Sequence, residues 1–189
     1  PRLMEWLNIL VGQMQVEEVP QLLAAVKDKQ EEFIRQHVIR ELLLQGGAEL
    51  TNLLAWFSIY RRPVLIDGVQ QIGEKFCLKK WKKLLREGIR LSLVEHDQAR
   101  RSYAVTPLLQ EELLIGIDHS HSQLCHQAAF NYYKVICKNI EQFDPLLVEE
   151  WIFHALGCGE ENDASEQGGR LVQYLCERLA FQESRRLGE

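Results

Sequence analysis

The sequence has no phosphate-binding GxxxxGK[ST] loop, no GxGxxG behind a strand-like run, and none of the HExxH, GxSxG or CxxC patterns. Without the first two there is no cradle for phosphates at a helix N-terminus, and without the others the usual metallopeptidase, hydrolase and zinc-finger arrangements lose their support. No apolar run approaches the roughly 20 residues that a bilayer-spanning helix needs, so no membrane partner is expected. The opening PRLMEWLNIL lacks the basic region, apolar core and small-residue cleavage site of a signal peptide. It also lacks an initiator methionine, which points to a fragment or processed chain. The five cysteines are odd in number and widely spaced, the usage of a reduced, cytoplasmic protein.

What is present is ordinary globular material with an uneven charge. Of 189 residues, 46% are hydrophobic and 26% charged, and the net charge is −5. Between Arg61 and Arg101 stand eleven Lys or Arg against five acids, which leaves eleven bases and 22 acids elsewhere. One basic segment therefore lies within an acidic whole.

The periodicity is mostly helical. Leu3, Trp6, Leu7 and Leu10 mark a first helix, with Gly12 near its end. Glu17 and Glu18 suit the first turn of a second, with Pro20 tolerated early and Leu22, Leu23 and Val26 behind. Asp28 is placed to cap a third, whose stripe is Phe33, Ile34, Val38 and Leu42 and which Gly46-Gly47 ends. From Glu49 to Tyr60 a further helix buries Leu50, Leu53, Leu54 and Phe57 until Arg61-Arg62-Pro63 breaks it. A short helix from Leu65 to Ile72 precedes LKKWKKLLREG, in which Leu78, Trp81, Leu84 and Leu85 face inward and Gly88 is placed as the stop. Two strand-like runs follow, IRLSLVEH and RRSYAV, with Leu91, Leu93, Tyr103 and Val105 apolar and a turn at His96 to Ala99. Thr106-Pro107 opens the helix LLQEELL, with threonine as the cap. Helices over Ser120–Lys138, Pro145–Leu156 and Ala164–Leu187 complete the chain, separated by Gly116 and Gly157-Cys158-Gly159. The small residues Ala128, Ala129 and Ala155 suit close helix approach, as in the start of a stacked helical-hairpin array.

The fold class expected is mainly α: a helical bundle over residues 1–46, a winged helix with a small β-hairpin over 47–115, and an α-α hairpin region over 116–189. A helix feeding a hairpin is the half of a winged helix that normally meets nucleic acid. Its basic face comprises Lys79, Lys80, Lys82, Lys83, Arg86, Arg100 and Arg101. Lysines neutralise phosphates without reading sequence, whereas base recognition favours Arg, Asn or Gln, so this face suits either a polyanion or an acidic neighbouring domain. His119, His121, Cys125 and His126 contain a one-turn His-Cys pair, but their spacing fits no common closed metal site. The alternative is a helix start capped by Ser120 or Ser122, with Cys125 buried and the histidines solvated. Neither metal nor catalytic residues are expected.

The run ELTNLLAWFSIYRRPVLIDGVQQI, then WKKLLREGIRLSLVE, then YAVTPLLQEELL, resembles the winged-helix module of the signal-transduction ATPases with numerous domains, over most of Glu49 to Leu114. Pro1-Arg2-Leu3 is similar to the end of that family's GxP lid motif, and the C-terminal helices resemble the start of its tetratricopeptide-like superhelix. The resemblance implies a non-catalytic regulatory part of a larger, bacterial-type ATPase, holding no cofactor itself and meeting ATP or ADP through a nucleotide-binding domain of the same protein. It implies nucleotide-proximal positions at Pro1 and Thr106, although Thr106 stands where animal members carry a phosphate-sensing histidine. A protein or ligand partner is implied for the C-terminal helices. The alternatives are a winged-helix DNA-binding regulator dimerised by those helices, and a helical adaptor without a nucleotide link.

Overall fold

The computed structural model describes residues 2–13, 19–20, 31–140 and 142–187. Its helices are α1 (Arg2–Gln13), α2 (Glu31–Phe57), α3 (Ile66–Lys75), α4 (Trp81–Arg90), α5 (Pro107–Ile115), α6 (His119–Asn139), α7 (Pro145–Cys158) and α8 (Glu161–Leu187). Three short strands, β1 (Val64–Leu65), β2 (Val94–Asp97) and β3 (Ser102–Val105), form an antiparallel sheet in the order β1-β3-β2. The protein is thus mainly α with a small sheet. Pro1, most of the expected second helix and the Asp28 cap lie outside the described residues.

The expected break at Gly46-Gly47 falls on one residue. Gly47 has φ 77° and ψ 169°, a left-handed conformation that side chains with a Cβ avoid, and the helix resumes immediately after it. The second segment of α2 buries Leu50, Leu53, Leu54 and Phe57, while Val38 and Leu42 fill the first. Trp6 and Leu10 of α1 pack on α2, so the apolar spacing read there forms a real core face. Trp6 also donates its indole N–H to the Ser92 carbonyl at 3.0 Å, tying α1 to the turn after α4.

From the second half of α2 through β3 the elements run helix, strand, helix, helix, strand, strand, with β3 in the centre of the sheet, which is the winged-helix order. Val94 pairs with Val105 and Asp97 with Ser102. The hairpin is shorter than the sequence runs suggested, and the cause is local. The N–H of Leu93 reaches back to the Gly88 carbonyl (2.9 Å) and that of Ser92 to Ile89 (3.0 Å), with Ser92 at φ 55°. This pair of reversed bonds closes a helix C-terminus. It takes Leu91-Ser92-Leu93 out of the strand, although Leu91 and Leu93 are fully buried.

Gly88 therefore does not stop α4, which continues to Arg90. It is glycine because a Cβ there would lie 2.9 Å from Val94 Cγ2 of the incoming strand. The end of α3 repeats the arrangement: Leu78 bonds back to Gly73 (2.8 Å), Cys77 to Glu74 (3.1 Å), and a Cβ on Gly73 would meet Trp81 Cγ at 2.6 Å. Gly73 is accordingly inside α3 rather than beyond it. The wing turn also moves, from the expected His96–Ala99 to residues 98–101. Asp97 Oδ1 accepts from Ala99 N (2.9 Å) and Arg100 N (3.0 Å), which places the bend after the aspartate.

Asp118 caps α6 by accepting from His121 N, and Asp144 caps α7, with Pro145 in its first turn. Serines were expected to cap α6, but Ser120 instead donates to Asp118 at 2.6 Å. Gly157 and Cys158 belong to α7, and Gly159, at φ 83°, forms the turn into α8. α6 packs on both α3 and α7, and α7 packs on α8. Among the described residues no helix is long and apolar enough to cross a membrane.

Candidate functional site

The basic face forms on the outside of the winged helix. α4 begins only at Trp81, so Lys79 and Lys80 lie in the turn before it rather than on the helix. Together with Lys82, Lys83 and Arg86 on α4 and Arg100 and Arg101 in the wing turn, they are exposed. α4 packs inward against α2 and β2 through Trp81, Leu85 and Gly88. Arg100 approaches Asp97 at 3.8 Å and Lys82 sits 5.3 Å from the Trp81 ring. An exposed, lysine-rich face of this kind can meet phosphates or an acidic surface.

Thr106 sits in a different place. It is 1% exposed, and its hydroxyl donates to the Ser92 carbonyl at 3.0 Å. The side chain is turned toward Ser92 and makes no cap bond to α5, contrary to expectation. The proposed lid residue Pro1 lies outside the described residues.

The His-Cys cluster does not converge. His121 bonds Asp118 and stacks beside Trp56 and Phe76, Cys125 is buried, and His126 turns to α7. Among the described residues no group of three or more such side chains is placed to hold a metal ion. All five cysteines are free. Burial raises the Cys125 thiol to about 12, with the Asp118 charge adding to the effect.

The most unusual chemistry lies where the winged helix meets α7. Glu150 is 2% exposed within the apolar helix PLLVEEWIFHALGC. Arg61 grips it with both ends of its guanidinium, Nη2 to Oε1 at 2.9 Å and Nε to Oε2 at 3.3 Å, and Arg62 adds Nε to Oε1 at 3.2 Å. The Arg61 guanidinium also lies 3.7 Å from the Phe153 ring centre. A buried carboxylate needs such paired donors, since desolvation would otherwise drive it to the neutral form. His154, fully buried one turn on, stacks on Tyr133, and its Nδ1 lies 3.0 Å from His126 Nδ1 on α6. Burial, His126 and Arg61 together lower His154 to about 3, and burial lowers His126. The pair is therefore neutral, one ring donating and the other accepting.

Two tyrosines extend the junction. Tyr132 accepts from the Leu65 N–H of β1 at 3.0 Å, and Tyr60 donates to the Gly68 carbonyl at 2.9 Å. A Cβ on Gly68 would lie 2.8 Å from Val64 Cγ2 and 3.3 Å from Tyr132 Cε2, so glycine is what lets α6 come this close. Sequence reasoning missed this cluster apart from His126, which it grouped with His119, His121 and Cys125, and it read Arg61-Arg62 only as a helix break. The available signal was Glu150 and His154 at a four-residue spacing in an otherwise apolar helix.

The geometry defines a winged helix whose basic face is exposed and which is fastened to a helical hairpin through Arg61, Arg62 and Glu150. No protein-family model, curated protein or solved structure matches the chain.

Proposed function

We propose that this chain is a non-catalytic regulatory portion of a signalling ATPase of the class with numerous domains. In this reading the winged helix answers to the nucleotide state of a separate domain, and α6–α8 receive or relay the signal in the cytoplasm. The observation that supports it is the buried Glu150 held by Arg61 and Arg62. That junction ties the winged helix to α7, while the lysines on and before α4 stay exposed. A displacement at the helical end would then carry the basic face toward or away from an acidic surface of the nucleotide-binding domain. Such a switch requires contacts that differ between two states, and the separated charge supplies them.

The coding sequence upstream of Pro1 tests this reading. It should contain a GxxxxGK[ST] loop roughly one domain length, about 100–200 residues, before Pro1. An upstream sequence without that loop would sink the proposal.

DNA binding is the second reading, favoured by the exposed lysines on and before α4, the helix that a winged helix presents to the major groove. If it holds, the chain binds duplex DNA with an affinity that falls steeply with salt and is lost when Lys79, Lys80, Lys82 and Lys83 are replaced together. Under the ATPase reading the chain shows no such binding.

A further inference from the structure

Three hydrogen bonds meet at Ser92, the residue that joins the basic helix to the wing. Its carbonyl accepts from the Trp6 indole at 3.0 Å and from the Thr106 hydroxyl at 3.0 Å, which occupies both of its lone pairs. Its own hydroxyl donates to Glu5 Oε1 at 2.6 Å. Two consecutive residues of α1 therefore hold the main chain and the side chain of one residue at φ 55°, a conformation that serine adopts only at a cost. Trp6 and Thr106 are both buried, so a movement of Ser92 away from them leaves two donors without an acceptor.

The position of Ser92 gives this grip its meaning. α4 ends at Arg90 and β2 begins at Val94, with Ser92 in the middle of the joint between them. The lysines on and before α4 precede that joint, and Arg100 and Arg101 of the wing turn follow it. The backbone angles at Ser92 thus govern how the two groups of charges stand to each other, and a surface that meets both groups is sensitive to them. α1 is a 12-residue helix that packs on α2. A helix of this length has little stability of its own, so its place depends on Trp6 and Leu10 in the core and on the tie to Ser92.

We infer that α1 is a strap that controls the basic face. Seated on α2, it keeps Ser92 at positive φ and fixes the angle between α4 and the β2–β3 hairpin, and a displacement of α1 lets that angle change. Trp6 and Glu5 are positioning residues that act through Ser92. The inference deepens the regulatory role proposed above and rests on it, since it names the element through which that role reaches the lysines.

The test uses proton–nitrogen spectra of the full 189-residue chain, with hydrogen exchange and residual dipolar couplings as the readouts. Trp6→Phe keeps a ring in the core and removes the donor. Glu5 is exposed, so Glu5→Ala removes the acceptor and leaves the core intact. Each change should speed exchange of the Leu93 amide, which donates to Gly88, and of the Thr106 amide, which donates to Leu93, by about three- to tenfold. Each should also shift the couplings of the hairpin relative to α4, while exchange at Leu65, held by Tyr132, keeps its rate. Adding Ser92→Gly, which takes up positive φ without strain, should return the hairpin to its original angle. The inference is overturned if Leu93 and Thr106 exchange at the original rate, if exchange at Leu65 rises equally, if the hairpin angle stays fixed, or if Ser92→Gly restores nothing. The upstream sequence provides a separate readout. A missing phosphate loop there sinks the ATPase reading whatever the spectra give, whereas an unmoved hairpin beside an intact loop removes only the strap.

Discussion

His126 and His154 face each other across the α6–α7 interface with their Nδ1 atoms 3.0 Å apart, a contact in which one ring must keep an unprotonated Nδ1 to accept from the other. The ordinary histidine value is 6.5, and His154 is lowered to about 3 by burial, His126 and Arg61. Between those values the unfolded chain binds protons that the folded chain refuses, so stability falls as pH drops through this window. The slope contributed by one such histidine is at most ~1.4 kcal/mol per pH unit. Urea unfolding at pH 7.5 and pH 5 should show this loss, and His154→Phe should reduce the difference between the two. An equal difference in the variant would refute the assignment.

Arg61→Ala should destabilise the protein more than Glu150→Gln, because it leaves a buried charge with only Arg62 to hold it. Fully buried pairs lose about 3–5 kcal/mol when broken. Arg61 and Arg62 are 46% and 42% exposed, so solvent screening brings the expectation to about 2 kcal/mol for Arg61→Ala. Denaturant midpoints measure the order, and the reverse order would mean that the carboxylate is not the group that needs its partner.

Two glycines should respond to alanine for different reasons. Gly73→Ala places a methyl group against the Trp81 ring and should cost about 1–3 kcal/mol while changing the environment of that indole. Gly47→Ala has open space around the new atom and should cost about 1–3 kcal/mol from its positive-φ, extended backbone alone, a conformation that only glycine adopts readily. Unfolding curves followed by tryptophan emission separate the two, because only Gly73→Ala should alter the folded-state spectrum.

Replacing Lys79, Lys80, Lys82 and Lys83 together by alanine should leave the thermal midpoint nearly unchanged. Their side chains are exposed, and surface substitutions of this kind usually lie within about 0.5 kcal/mol. A large loss of stability would show that the lysines are structural rather than a surface held for a partner.

Tyr132→Phe removes the hydroxyl that accepts from Leu65 N. It should cost about 1 kcal/mol and should speed hydrogen exchange at that amide more than at its neighbours. Unaltered exchange at Leu65 would mean that the bond does not persist in solution.

The helices were legible where an apolar stripe repeats at helical spacing, as at Trp6 and Leu10 or at Leu50, Leu53, Leu54 and Phe57. Their ends were less so. Gly73 and Gly88 looked like stop signals, yet each is required by a side chain arriving from a later element, Trp81 or Val94, which no local pattern displays. Leu91 and Leu93 alternate like strand residues, but Ser92 is in a left-handed conformation that only the closing hydrogen bonds of α4 explain. The exposed lysines could be read directly from composition. The junction could not, because Arg61 and Glu150 are 89 positions apart, and a charge in a helix declares itself buried only when its partner is known.

Tyr132 also bears on how copies of this molecule behave when crowded. β1 is an outer strand of the sheet, and an outer strand ordinarily offers its free amides to any passing chain. With the Leu65 amide occupied by a hydroxyl from α6, an incoming strand finds that donor taken. Growth of the sheet from one molecule into the next is then directed to β2, whose outward edge ends at the charged wing. The hydroxyl that fastens α6 to the winged helix thus also guards the protein against self-association through β1.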